Sequence, residues 1–196
     1  MKKLLVILGL GIGAWAYLHT PAADWKGMPA PHTPVQTLDR LPTGFSHQGY
    51  TIKPLATYRV TAVVLSRSRY RNDPGAKLAP VDLALGWGPM SVAGVINDLS
   101  ISQSGRWYDY AWKGEPPLEV DAIAQNSANT HCLPATREVR AQLLNVKRHE
   151  LVTLSGYLVE VTHPDGYRWL SSLTRQDVRG GSCEVMWITS VDRRKI

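Results

Sequence analysis

Alternation of apolar and polar positions dominates the chain after its first fifty residues. Between Leu55 and Leu65, the residues Tyr58, Val60, Ala62 and Val64 fall on one face, which predicts a strand. From Arg106 to Trp112 the same period puts Tyr108, Tyr110 and Trp112 on one face and Trp107, Asp109 and Ala111 on the other, a strand with an aromatic side. Leu151 to Val161 carries Val152, Leu154 and Leu158 in phase, with Gly156 as a bend or bulge. Cys183 to Val191 carries Cys183, Val185, Trp187 and Thr189 in phase and predicts a last strand. One stretch follows the helical period instead. Val139, Leu143 and Val146 form a stripe, Thr136 is placed to cap and Glu138 complements the positive end, so a helix is expected from about Arg137 to Val146. A shorter helical turn is expected over Val92 to Asp98, capped by Ser91.

Turn signals punctuate these segments. Asn72-Asp73-Pro74-Gly75 lies in a basic loop with Arg67, Arg69, Arg71 and Lys77, Gly86-Trp87-Gly88-Pro89 ends the apolar Val81 to Leu85, and His163-Pro164-Asp165-Gly166 turns the chain into Tyr167 to Leu173. No repeat and no strand-helix alternation is present, which argues against a parallel α/β sheet. The expected class is α+β, mainly antiparallel β with one main helix, and a small barrel of the OB kind fits that set of elements.

The first residues give an address. Lys2 and Lys3 precede fifteen uncharged, mostly apolar residues, Leu4 to Leu18. A charged amino end of this kind stays on the cytoplasmic side, so residues 1–20 read as a signal anchor or signal peptide. Trp15 and Tyr17 at the headgroup level favour a retained anchor; Ala14-Trp15-Ala16 or Thr20-Pro21-Ala22 would serve as a cleavage site. The expected location is the inner membrane, single-pass, with the domain on the periplasmic side, or the periplasm itself after cleavage. Residues 21–48, with Pro21, Pro29, Pro31, Pro34 and Pro42, read as an extended tether, or as a strap docked through Trp25, Met28, Leu38, Leu41 and Phe45. Residues 49–196 form the β-rich envelope domain, long enough to bury a core unaided.

The net charge of +6 is partly terminal, since Lys2, Lys3, Arg193, Arg194 and Lys195 contribute to it. The loop with Arg67, Arg69, Tyr70 and Arg71 has the composition of an anion grip, while export argues against nucleic acid as its partner. Seven tryptophans and eight tyrosines stand against one phenylalanine, a skew that suits half-buried β surfaces and sugar ligands alike. Cys132 and Cys183 in an exported chain invite a disulfide, whose loop of about 50 residues would contribute roughly 4 kcal/mol in the chain-entropy model.

Candidate chemistry is concentrated between Asn126 and Ala135, where Ser127, Asn129, Thr130 and His131 precede the predicted helix. Read as a loop at a helix amino end, these residues either cap and brace the backbone or hold a small anion beside an imidazole. Cys132, Cys183, His131, His149 and His163 lack the spacing of a tetrahedral metal site, and no glycine pattern for a nucleotide lies outside the leader, so neither metal nor cofactor is expected.

Four separated elements carry a resemblance: Asp82-Leu83-Ala84-Leu85-Gly86-Trp87-Gly88, Ser104-Gly105-Arg106-Trp107, Ser127-Ala128-Asn129-Thr130-His131, and Ser171-Ser172-Leu173-Thr174-Arg175-Gln176-Asp177 with Gly181-Ser182-Cys183-Glu184. Together they resemble a family of bacterial membrane-anchored envelope proteins of unknown function. The resemblance implies that these elements belong to one fold. An aliphatic residue stands in that family where this chain has Cys132, which speaks against the disulfide.

Two functional readings follow. The first is a non-enzymatic, membrane-tethered module that binds an envelope protein or polymer through Trp87, Trp107, Tyr108 and Trp112. The second is a hydrolase of envelope polymer or nucleic acid, with His131 as base, Ser127 or a water as nucleophile, Asp82, Asp109 or Asp177 as orienting acid, and Arg175 for an oxyanion. A His131 that faces a carboxylate across a cleft would favour the enzyme.

Overall fold

A computed structural model describes residues 22–176 and 183–196. Residues 1–20, expected to be a signal anchor or signal peptide, and the candidate acid Asp177 lie outside the described residues. Ten strands carry the architecture: β1 Val35–Thr37, β2 Phe45–His47, β3 Tyr50–Arg69, β4 Val81–Gly86, β5 Leu99–Ser104, β6 Trp107–Trp112, β7 Ser127–Pro134, β8 Glu150–Thr162, β9 Arg168–Leu170 and β10 Glu184–Lys195. Among the described residues there are three α-helices, α1 Ala93–Asn97, α2 Val120–Gln125 and α3 Arg137–Asn145, and a single 3-10 turn at Gly88–Ser91. The fold is therefore mainly antiparallel β with one sizeable helix. Among the described residues no helix is long and apolar enough to cross a membrane.

The main sheet is organised around β3. Its carboxyl half pairs with β4, its amino half pairs with β8, and β4, β7, β10 and β8 are paired in that order, so the path of pairings returns to β3. Every pair on that path is antiparallel except β7 with β10. Irregularities between Pro54 and Ala56, between Val64 and Ser66, and between Ile188 and Ser190 bend the strands. The expected phase of Tyr58, Val60, Ala62 and Val64 holds, and all four side chains are buried. They share one core with Leu83, Leu85, Cys132, Leu154, Leu158 and Met186. A second cluster of Ile52, Leu133, Val159, Val161, Val185 and Trp187 lies on the other side of the strands.

Helix α3 forms where the sequence places it. Thr136 Oγ1 accepts from the Val139 amide at 3.3 Å, and Val139, Leu143 and Val146 enter the main core. Around α1 the expected cap is corrected. Val92, not Ser91, is the N-cap, because the Ser91 hydroxyl is engaged elsewhere: it donates to Gly88 O at 2.8 Å and accepts from the Ala30 amide at 3.3 Å.

That second bond ties down the proline-rich segment. Ala23 and the Asn97 side chain bond each other in both directions at 2.8 Å, Trp25 Nε1 donates to Ser91 O, and Gly88 N donates to Ala30 O. β1 then adds to the edge of β3. From Ala23 to Thr37 the chain is packed along the domain, as a strap would be.

Candidate functional site

The segment around His131 is not a loop at a helix amino end. It is β7, and His131 stands on a strand with α3 beginning six residues later. Alternation explains how so polar a strand is buried throughout. Ala128, Thr130 and Cys132 face the core lined by Val81, Leu83 and Leu85, while Ser127, Asn129 and His131 face outward and are roofed by the β5–β6 hairpin and the β9 region. Their hydrogen bonds make that burial tolerable. Ser127 Oγ donates to Ile123 O at 2.7 Å, and Asn129 donates to Arg106 O at 3.0 Å and accepts from Gln103 Nε2 at 2.7 Å.

Register brings the two central residues together. Asp82 on β4 lies directly opposite His131 on β7, with Nδ1 of the imidazole 2.9 Å from Asp82 Oδ2, at ion-pair distance but out of line for a hydrogen bond. The other carboxylate oxygen, Oδ1, accepts from Arg106 Nη1 at 2.9 Å. Arg106 also donates through Nε and Nη2 to Asp73 Oδ1 at 3.1 and 2.8 Å, and through Nη2 to Ala79 O. Its guanidinium lies 4.0 Å from the centre of the Tyr70 ring and 5.3 Å from that of Trp169. Trp169 in turn leans on His131, with ring centres 4.4 Å apart.

A two-residue turn aims Arg106 at this place. Ser104 pairs with Trp107, and Gly105 and Arg106 between them have φ of 54° and 70°, the left-handed pair that a tight hairpin demands. Glycine takes that conformation freely. Arg106 does not, and its two carboxylate partners offset the strain.

Beside this cluster opens a pocket of about 410 Å³ lined by Asp73, Gly105, Arg106, Trp107, His131, Tyr167, Trp169 and Cys183. Trp107 is 49% exposed and forms a reachable aromatic wall. Burial pushes the Tyr167 hydroxyl up to about 12 and the Cys183 thiol up to about 11, so both enter the pocket as neutral groups at physiological pH. His131 is 3% exposed; its Nδ1 edge faces Asp82, and Nε2 has no hydrogen-bond partner among the described residues.

The other residues singled out from the sequence are distributed differently. Ser127 shares the strand face of His131 but sits four residues, about 13 Å, along it. Arg175 is 2.6 Å from Glu184 Oε1, and Glu184, level with Thr130, faces the core side of the sheet, so this pair lies on the opposite face from His131. Asp109 is exposed on the hairpin. The four aromatic residues do not share one surface: Trp87 is buried at 1% exposure, Tyr108 and Trp112 pack against the main core, and Trp107 alone of the four lines the pocket.

The disulfide is corrected as well. Cys132 and Cys183 are both free. Cys132 lies opposite Met186, three positions from Cys183, which puts the two side chains on opposite faces and about 10 Å apart along the strands, beyond the reach of a disulfide. Among the described residues no group of three or more His, Cys, Asp and Glu side chains is placed to hold a metal ion. Arg106, Asp73 and Trp169 are the site residues that sequence reasoning missed. Neighbouring Gly105 with the period-two flanks was the signal for a hairpin turn, but an arginine at a turn ordinarily reads as solvated.

No family model, curated protein or solved structure matches the chain.

Proposed function

We propose that this protein is a non-enzymatic envelope module, held to the inner membrane by residues 1–20 and displaying on the periplasmic side a five-stranded barrel of the OB kind. The barrel reading is supported by the closed order β3, β4, β7, β10, β8, by the parallel pairing of β7 with β10, and by α3 lying in the chain between β7 and β8, the third and fourth of those strands in sequence. Such barrels take extended oligomers on the face of their second and third strands, between the first and last loops. Here those elements are β4, β7, the 70–80 loop and the segment around β9, and the observation that carries the proposal is that the Trp107 pocket opens there.

The lining suits a hydroxyl-rich polymer. Trp107 and Trp169 offer flat apolar faces, while His131 Nε2 and Tyr167 offer polar edges. Asp82, Arg106, His131 and Cys183, one from each of the four elements of the envelope-family resemblance, lie in or under this pocket. Fluorescence titration of the full chain with soluble glycan fragments of the cell wall tests the reading. Binding is expected, weakened at least tenfold in Trp107→Ala with an unchanged melting temperature. Equal affinity in that variant would remove the pocket from the proposal.

The hydrolase reading keeps one specific observation, the Asp82 carboxylate at Nδ1 of a histidine whose Nε2 faces the pocket. Release of new reducing ends by the wild-type protein, lost in His131→Ala at unchanged stability, would decide for it.

A further inference from the structure

We infer that the basic end of the domain, around the carboxyl terminus of α3, rests on an anionic phospholipid surface. Three guanidinium groups converge there: Arg67 Nη1 donates to Val146 O at 2.7 Å, Arg69 to Leu144 O and Arg193 to Asn145 O. A helix end carries only about half a negative charge, so three full positive charges leave an excess. Lys147 and Arg148 follow directly in sequence, and Lys195 stands level with Glu150 in the β8–β10 register. Arg67, Arg69, Lys147, Arg193 and Lys195 are exposed. Acidic groups facing the set are Glu150, 3.5 Å from Arg193 and bonded to the Lys147 amide, and Asp24, which acts on His149.

The point of chain entry selects lipid as the partner. The Trp25 ring meets His149 edge-on at 5.5 Å, directly after Lys147 and Arg148, and Ala23 is clamped to Asn97. The apolar run that ends at Leu18 therefore joins the domain beside its basic end, with exposed Lys26 adding a further charge. Five residue steps lead from Leu18 to Ala23 and span at most about 18 Å when fully extended. If the preceding run is in a bilayer, this short connection lets the basic end of the domain come within a Debye length of the headgroups, where its charges are felt. Each basic side chain at such a surface contributes about fivefold to affinity. The inference rests on the tether in the reading above and is independent of the pocket.

The test uses the full chain in nanodiscs of phosphatidylcholine alone or with phosphatidylglycerol, read by hydrogen exchange over residues 22–28 and 144–149. Exchange several-fold slower with phosphatidylglycerol is expected, a difference that disappears at high salt and shrinks in Lys26→Gln/Lys147→Gln, whose melting temperature stays that of the wild type. Equal exchange in both discs overturns the inference. Carbonate extraction separates the two claims: a chain retained in membranes with equal exchange loses only the lipid contact. A chain released by carbonate loses the tether, and its lipid contact then stands on co-sedimentation with phosphatidylglycerol vesicles and falls without it.

Discussion

Arg106 holds its place with a left-handed backbone that costs a non-glycine residue roughly 1 to 2 kcal/mol. What keeps it there is Asp82, fully buried, whose Oδ1 accepts from this one guanidinium. Arg106→Met therefore leaves an uncompensated buried carboxylate, and urea unfolding is expected to show a loss of about 3 to 5 kcal/mol. Adding Asp82→Asn to that variant removes the stranded charge and should recover part of the loss, which a merely steric role for Arg106 would not permit. The cysteines give a second prediction. Burial raises both thiols in the folded state, Cys183 to about 11, so the unfolded chain loses these protons first as pH rises through 9. Stability contributed by the neutral thiols is complete below pH 9 and falls between there and pH 11. Denaturant midpoints measured across that range should decline, and Cys183→Ala should decline less steeply.

At the scale of elements, α3 is the part whose removal from the core is simplest to read. Leu143 is fully buried, and Leu143→Ala is expected to lower stability by about 2 to 5 kcal/mol; an unchanged melting temperature would mean that the helix does not seal the core. Gly156 controls another joint. A Cβ there would run into the carbonyl oxygen of Trp187, where β10 carries its extra residue, so Gly156→Ala should loosen the β8–β10 pairing and speed hydrogen exchange across residues 184–188. These elements were legible because apolar residues recur in phase along each: β3, β6, β8, β10 and α3 all announce themselves by period, even though β8 and the start of β10 are covered on both faces. β7 does not. Both its faces are buried, and in the outward set Ser127 and Asn129 bond to the hairpin that covers them while His131 faces Asp82, so the pattern reads as a loop. Nor could the sequence bring Asp82 to His131, since that meeting depends on the register of two strands joined through the β5–β6 hairpin and α2. The candidate site was thus visible as residues and invisible as a constellation.

For the whole molecule, the proposed topology predicts that protease added to spheroplasts digests the domain while intact cells protect it. Protection in spheroplasts would reverse the orientation. The central position of β10 has a kinetic side. It is paired on one edge with β7, parallel, and on the other with β8, antiparallel, so it alone joins the two halves of the sheet across that seam. Hairpins such as β5–β6 can zip locally, but β7 cannot find its second neighbour until residues more than fifty positions later arrive. Contacts of such long range close slowly. A chain emerging from a membrane pore in sequence order would therefore remain open along the seam between β7 and β8 until residues 184–195 enter it. During that interval the backbone edge of β7 is available to any other strand. The late strand thus sets the time for which this protein depends on assistance or dilution to avoid pairing with a neighbour.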